Sequence, residues 1–338
     1  MGFSQACVAV ALAFASHAPA QESASSKSPP RGQMVDLGGH RLHIDCRGKG
    51  PLTVVIENGF EEFSFDWTMV QSKVEKFTKV YTYDRAGYAW SEPGPAPRTF
   101  HQINAELHDA LEKLGERGPY VLVGHAFGGP IVRNFAKVYP RDVAGIVFVD
   151  AVSEDQRFEM WNKAVLMRSG STGKQIPAPH EGILPSDKLA DSPYFDPMKA
   201  QKIEPPFDRL APDLQVLHRW AQARRSLAAA EENERTWSPE YLAQWHDHPE
   251  LNPFGSIPLI VLTREHGGFH DLDISAAQQE AERKTNQTRL IGLSKSGSQR
   301  IIVSGEDMEL EAPDAVVEAI QDVVKAASKR NTSKPNLR

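Results

Sequence analysis

Two periodicities alternate along the first half of this chain. Continuous apolar runs at Thr53 to Glu57 (TVVIE), Val80 to Tyr83, Tyr120 to Val123 and Val143 to Val149 (VAGIVFV) read as strands buried on both faces. Between them, apolar residues recur every three or four positions. They are Trp67, Val70, Val74 and Phe77, then Phe100, Ile103, Leu107, Leu111 and Leu114, then Ile131, Val132, Phe135 and Ala136. That spacing predicts amphipathic helices. Met34 to Leu37 and Arg41 to Asp45 flank a Gly38-Gly39 turn and predict a hairpin. Strands alternating with helices as far as Asp150 imply an α/β fold: a mostly parallel sheet with helices on both faces.

After Asp150 the pattern breaks. From 153 to 253 no strong strand is evident, and helical patterns surface only around Leu214 to Ala230 and Glu240 to Trp245. Large apolar residues gather here: Trp161, Met167, Tyr194, Phe195, Trp220, Trp237 and Tyr241. An inserted, mainly helical cap is expected. Sheet order resumes with Ile257 to Leu262, a polar helix near Ile274 to Lys284, a strand at Arg300 to Val303 and a helix at Ala315 to Ala327. The expected organisation is a core in two parts, 34–152 and 254–328, the cap at 153–253 and a disordered tail at 329–338.

Charge excludes one class of partner. With 38 Lys and Arg against 44 Asp and Glu, the net charge is −6, which argues against nucleic acid. Ala6 to Ala15 is an uncharged run followed by Ala18-Pro19-Ala20, although Met1 to Ala6 holds no Lys or Arg. The pattern predicts a signal peptide over 1–20, a flexible linker over 21–33, and export to the periplasm or medium. The run is too short for a stable membrane span. Beyond Cys7, Cys46 is the lone cysteine, expected as a small core residue. No disulfide, cofactor or metal is called for.

The chemistry centres on Gly124-His125-Ala126-Phe127-Gly128, set between a strand and a helix. This is the layout of a nucleophile elbow, in which a sharp turn lifts one side chain above the sheet. The lifted residue is Ala126, whose methyl cannot attack a carbonyl. Around it, in order, stand Asn58-Gly59-Phe60, Tyr83-Asp84-Arg85-Ala86-Gly87-Tyr88, Phe148-Val149-Asp150-Ala151, and Ser304-Gly305-Glu306 with Leu310-Glu311-Ala312-Pro313. With these motifs the chain resembles the α/β-hydrolase superfamily, specifically its bacterial secreted esterase-like group with a cap. The resemblance covers about 35–150 and 253–328. It implies a triad with its nucleophile at Ala126, its acid at Asp150 or alternatively Glu265, and its histidine at Glu306. It also implies an oxyanion hole from the backbone N–H groups of Phe60 and Phe127. Two of the three triad positions are substituted, which favours natural loss over a single engineered Ser→Ala change.

Other residues offer partial substitutes. Glu306 could act as a base if burial raised its pKa and Asp150 shared its proton. The plainer reading is a solvated loop acid beside Asp307, Glu309 and Glu311. Ser91 and Ser304 lie off the elbow. His125 is expected to pack behind the turn. His266 and His270 could reach the pocket mouth, and His246 with His248 hints weakly at a metal; both pairs read as surface residues. The expected protein lacks ordinary serine-hydrolase activity and binds a small, mostly apolar ligand, an ester, carbonyl or carboxylate compound. The alternative is a non-covalent enzyme using Glu306, Asp150 and the oxyanion hole.

Overall fold

The computed structural model describes residues 31–160, 163–179, 202–265, 267 and 273–333. The signal segment, most of the linker, His266, His270, Trp161, Tyr194 and Phe195 lie outside these described residues. The strands are β1 (Gln33–Asp36), β2 (Arg41–Arg47), β3 (Thr53–Glu57), β4 (Lys79–Tyr83), β5 (Tyr120–His125), β6 (Val143–Val149), β7 (Arg157–Met160), β8 (Lys163–Leu166), β9 (Pro258–Arg264) and β10 (Ser296–Ile302). The helices are α1 (Thr68–Val74), α2 (Phe100–Lys113), α3 (Gly128–Val138), α4 (Pro212–Gln222), α5 (Arg225–Asp247), α6 (Ala276–Ile291), α7 (Met308–Glu311) and α8 (Pro313–Ser333).

Eight strands form one sheet in the order β1-β2-β4-β3-β5-β6-β9-β10. The predicted hairpin β1–β2 joins β4 antiparallel, and every pairing from β4 to β10 is parallel. Alternation along the strands divides the core in two. Val54, Ile56, Val121, Val123, Val147 and Val149 pack with Val70 of α1 and Val316, Ile320 and Val323 of α8. Val55, Leu122, Ile146 and Phe148 pack with Leu107 of α2, Phe135 of α3 and Leu290 of α6. The strands read as unbroken apolar runs because both faces are covered.

The insertion after β6 is mainly helical, but it opens with an antiparallel pair, β7–β8. The sequence hid this pair because each strand has four residues and mixes charged with apolar side chains. The helical boundaries also differ from expectation. The break falls at Ala223-Arg224, and α5 runs through Pro239 without stopping. Ser238 to Leu242 are buried against the core, so packing holds the helix where proline removes one N–H donor.

Cap and core are joined by a buried charge network. Arg85 is fully buried and donates to Glu57 at 2.9 Å, to the carbonyls of Asn58 and Gly59 at 2.6 and 2.9 Å, and to Glu234 of α5 at 3.3 Å. Tyr88 accepts from Arg85 and donates to Glu234 at 2.9 Å, while Tyr83 donates to Glu57. Burial pushes the Glu57 carboxyl up to about 7, against the pull of Arg85.

Two expectations are corrected here. Cys46 is exposed: it lies near the end of β2, beyond the buried Leu42 and Ile44 that precede it on the same face. Helix α8 continues to Ser333, well into the stretch read as a disordered tail. Among the described residues, no helix is long and apolar enough to cross a membrane.

Candidate functional site

The elbow is built as its sequence demands. β5 ends at His125 and α3 begins at Gly128, leaving Ala126 at the turn with φ of +42°. An L-residue is strained there, and the strain persists because both sides of the turn are fixed. The Ala126 N–H donates to the Val149 carbonyl at 3.1 Å, and the Ala126 carbonyl accepts from Gly129 and Val152 at 3.1 and 2.9 Å. Gly128 is required: a Cβ there would collide with the backbone carbonyls of Glu57 and Asn58.

Ala126 borders a cavity of about 310 Å³, together with Phe60, Phe127, Asp150, Arg264, Glu306 and Asp307. The sequence therefore named residues that do come together. Glu265 does not line this cavity, although it follows the same strand. The Phe60 and Phe127 rings stack with centroids 3.7 Å apart. Neither of their backbone N–H groups donates to another described residue.

Arg264, the last residue of β9, was missed in the sequence and reorganises the site. Its guanidinium lies 3.2 Å from Asp150 and 2.7 Å from Glu306. Its backbone N–H also donates to Asp150 at 3.3 Å. Asp150 sits at the end of β6 with φ of +39°, and its burial raises the carboxyl despite Arg264. Glu306 behaves oppositely. The loss of surrounding water on its inner side pushes its carboxyl up, but Arg264, with His125 behind it, outweighs that and holds it below its ordinary value. Its side chain is half-exposed, which favours the charged form as well. The expectation of a raised Glu306 carboxyl sharing a proton with Asp150 is therefore corrected: a cation stands between the two. An arginine directly preceding the alternative acid position was the available signal.

His125 packs behind the turn, as expected, but its surroundings are acidic. Nδ1 donates to Glu62 at 2.6 Å and Nε2 to the Glu306 carbonyl at 3.0 Å. Glu309 lies 3.9 Å from Nε2. Burial opposes charge on the ring, yet Glu62 and Glu309 overcome it and raise the imidazole well above its ordinary value. The loop is no simple solvated turn: Glu309 is fully buried, and Glu311 accepts from the Gly305 N–H at 3.0 Å. His246 pairs with Asp155 at 2.9 Å and stands apart from the cavity. Ser91 is a structural bridge, accepting from His43 N–H and donating to the Asp84 carbonyl.

A second cavity of about 380 Å³ adjoins the first inside the cap, lined by Val165, Leu166, Trp237 and Pro239. Phe158, Met167 and Arg235 line both cavities. The Arg235 guanidinium lies over the Phe60 ring, 3.9 Å from its centroid.

A strained elbow above a parallel sheet, beneath a helical cap, defines a class of protein. A family model described as alpha/beta hydrolase fold matches residues 53–291, and the chain belongs to that family. Probable transporter efuK of Hormonema carpetanum is 32% identical over 146 residues, which are 41% of this chain and 20% of that protein. YbdG, an uncharacterized protein of Bacillus subtilis, is 29% identical over 122 residues, or 36% and 38% of the two chains. An AB hydrolase superfamily protein of Gibberella zeae is 33% identical over 129 residues, or 36% and 40%. The chain spans less than half the length of these curated relatives. Among solved structures, a thermophilic esterase from Thermogutta terrifontis with malate bound has a TM-score of 0.60 at 17% identity, covering 87% of this chain and 98% of the other. Epoxide hydrolase CorEH has a TM-score of 0.57 at 14% identity, covering 88% and 98%. These two likenesses concern the fold.

Proposed function

We propose that this chain holds a small ligand at its elbow and lacks serine-hydrolase turnover. The observation that carries the reading is the Arg264 bridge between Asp150 and Glu306, beside Ala126. A triad needs a nucleophile, a base that accepts its proton, and an acid that orients the base. Ala126 offers no nucleophile. A guanidinium stays protonated at neutral pH and cannot serve as the base. Asp150 is committed to that guanidinium. Glu306 is paired with the same guanidinium, whose positive charge weakens both carboxylates as bases, so the carboxylate-base alternative is the less favoured reading.

The ligand we infer carries a carbonyl or carboxylate at one end and an apolar body. The N–H groups of Phe60 and Phe127 would receive the oxygen, because a donor pair at the elbow suits developing or full negative charge. The cap cavity with Val165, Leu166, Trp237 and Pro239 would receive the apolar part. An esterase of the same fold has been solved with malate, a carboxylate, bound. We also place the protein outside the cytoplasm, on its N-terminal pattern, which fractionation would check.

The test combines three measurements on the purified chain. A fluorophosphonate probe should leave it unlabelled, a panel of short esters should not be hydrolysed, and calorimetry with phenylacetate should show saturable binding. Labelling or rapid ester turnover would overturn the loss of hydrolase activity. Absence of binding across a panel of aryl and alkyl carboxylates and esters would overturn the ligand reading.

A further inference from the structure

The elbow carries a second cluster that the ligand reading does not use. Donor atoms of Glu62, His125 and Asp307 all lie within 4.8 Å of one another. Glu62 and His125 are buried, and Asp307 is partly so. Behind them stands Glu309, fully buried, with neither carboxylate oxygen accepting a hydrogen bond from another described residue. Its Oε2 lies 3.9 Å from His125 Nε2. Three carboxyl groups thus crowd one imidazole. The guanidinium of Arg264 is engaged with Asp150 and Glu306 instead. Buried carboxylates in excess of cations are costly unless protons or a metal ion compensate them.

The geometry favours a metal. His125 keeps Nε2–H on the Glu306 carbonyl at 3.0 Å, which turns Nδ1 toward Glu62. Histidine ligands are commonly held this way, by a carbonyl on the ring nitrogen facing away from the ion. Glu62 is braced too: its Oε2 accepts from the Gly59 N–H at 2.8 Å, leaving Oε1 for the cluster. Glu62 and Asp307 also line the elbow cavity, which gives an ion a path inward. We propose that His125 Nδ1, Glu62 and Asp307 bind one divalent transition-metal ion. One imidazole and two carboxylates suit Mn²⁺ or Zn²⁺ and do not suit the soft Cu(I). The ion replaces the Nδ1 proton, which leaves to solvent. This site stands independently of any ligand bound at the Phe60 and Phe127 N–H groups.

The experiment titrates chelator-treated full-length protein with MnCl₂, by calorimetry and by thermal unfolding. One ion should bind per chain, with a rise in Tm. Glu62→Gln and Asp307→Asn should each weaken binding by about ten-fold or more. Asp314→Asn, on an exposed acid paired with Lys73, should leave it unchanged. If the cluster variants do not fold, pulsed electron paramagnetic resonance of Mn²⁺ on the unmodified protein decides, because an imidazole ligand gives a nitrogen coupling. Absence of saturable binding, unchanged affinity in folded Glu62→Gln, or bound Mn²⁺ without nitrogen coupling would each overturn the site.

Discussion

Arg264 approaches Glu306 to 2.7 Å while its guanidinium remains 3.2 Å from Asp150, so one cation closes the space between the acid and histidine positions of the site. Asp150 is buried and Arg264 nearly so, whereas Glu306 faces partly outward. The contact with Asp150 therefore carries most of the energetic weight, since removing one partner of a buried pair strands the other.

Arg264→Met should destabilise the fold by about 3 kcal/mol, the range for breaking a buried pair. The Asp150 carboxyl, already raised by burial, should rise further. Urea denaturation at neutral pH measures the loss. A change below about 1 kcal/mol, the worth of an exposed pair, would show the bridge to be incidental.

Restoring the two missing triad residues should not be enough. Ala126→Ser with Glu306→His leaves Arg264 against Asp150, where it competes for the acid that should orient the new histidine. The double variant should stay inactive on p-nitrophenyl acetate, and adding Arg264→Ala should bring measurable hydrolysis. Full activity in the double variant would mean that Arg264 yields easily.

Stability should fall as pH rises through the neutral range. Burial raises the Glu57 carboxyl from 4.5 to about 7. A carboxyl raised in the folded state favours folding fully below its unfolded value and loses that contribution as pH climbs through the folded value. The window is therefore about pH 4.5 to 7, and the Glu57 share is about 3 kcal/mol. Urea midpoints taken at intervals from pH 4.5 to 8 should decline, and the decline should be shallower in Glu57→Gln. An identical slope in that variant would assign the effect to other groups.

Gly128→Ala should lower stability by about 1–3 kcal/mol, the range for forcing extra volume into a packed core. Its new methyl meets the carbonyls of Glu57 and Asn58, which belong to the backbone and cannot swing aside. Thermal unfolding reads the loss. A neutral outcome would mean that β3 and α3 can separate.

The parts of this molecule that were legible are those where local pattern and global fold agree. Val54, Val121 and Val147 announce buried strands because helices cover both faces of the sheet. Gly124 to Gly129 announce the elbow because strand, turn and helix leave room for little else. The β7–β8 pair stayed hidden because four-residue strands carry too little periodicity. The helix through Pro239 stayed hidden because burial of Ser238 to Leu242 overrides the local penalty. The role of Arg264 was invisible for another reason: ion pairs such as Arg264 with Glu306, 42 residues away, depend on three-dimensional register. The same holds for Glu62, whose partner His125 is 63 residues distant.

The buried Arg85 has a consequence for how molecules reach the cavities. Parting α5 from the core would expose a guanidinium, Glu57 and Glu234 together and break several hydrogen bonds at once. The opposite wall is fastened more lightly, by Arg157 to Glu282 at 2.7 Å, a pair about a quarter to a third exposed. Opening at the β7–β8 hairpin should therefore cost less than parting α5 from the core. Phe158, a hairpin residue, borders both chambers, so such an opening would widen both. Exchange of a ligand at the elbow should therefore be sensitive to salt, because the Arg157–Glu282 pair on that wall is partly open to solvent.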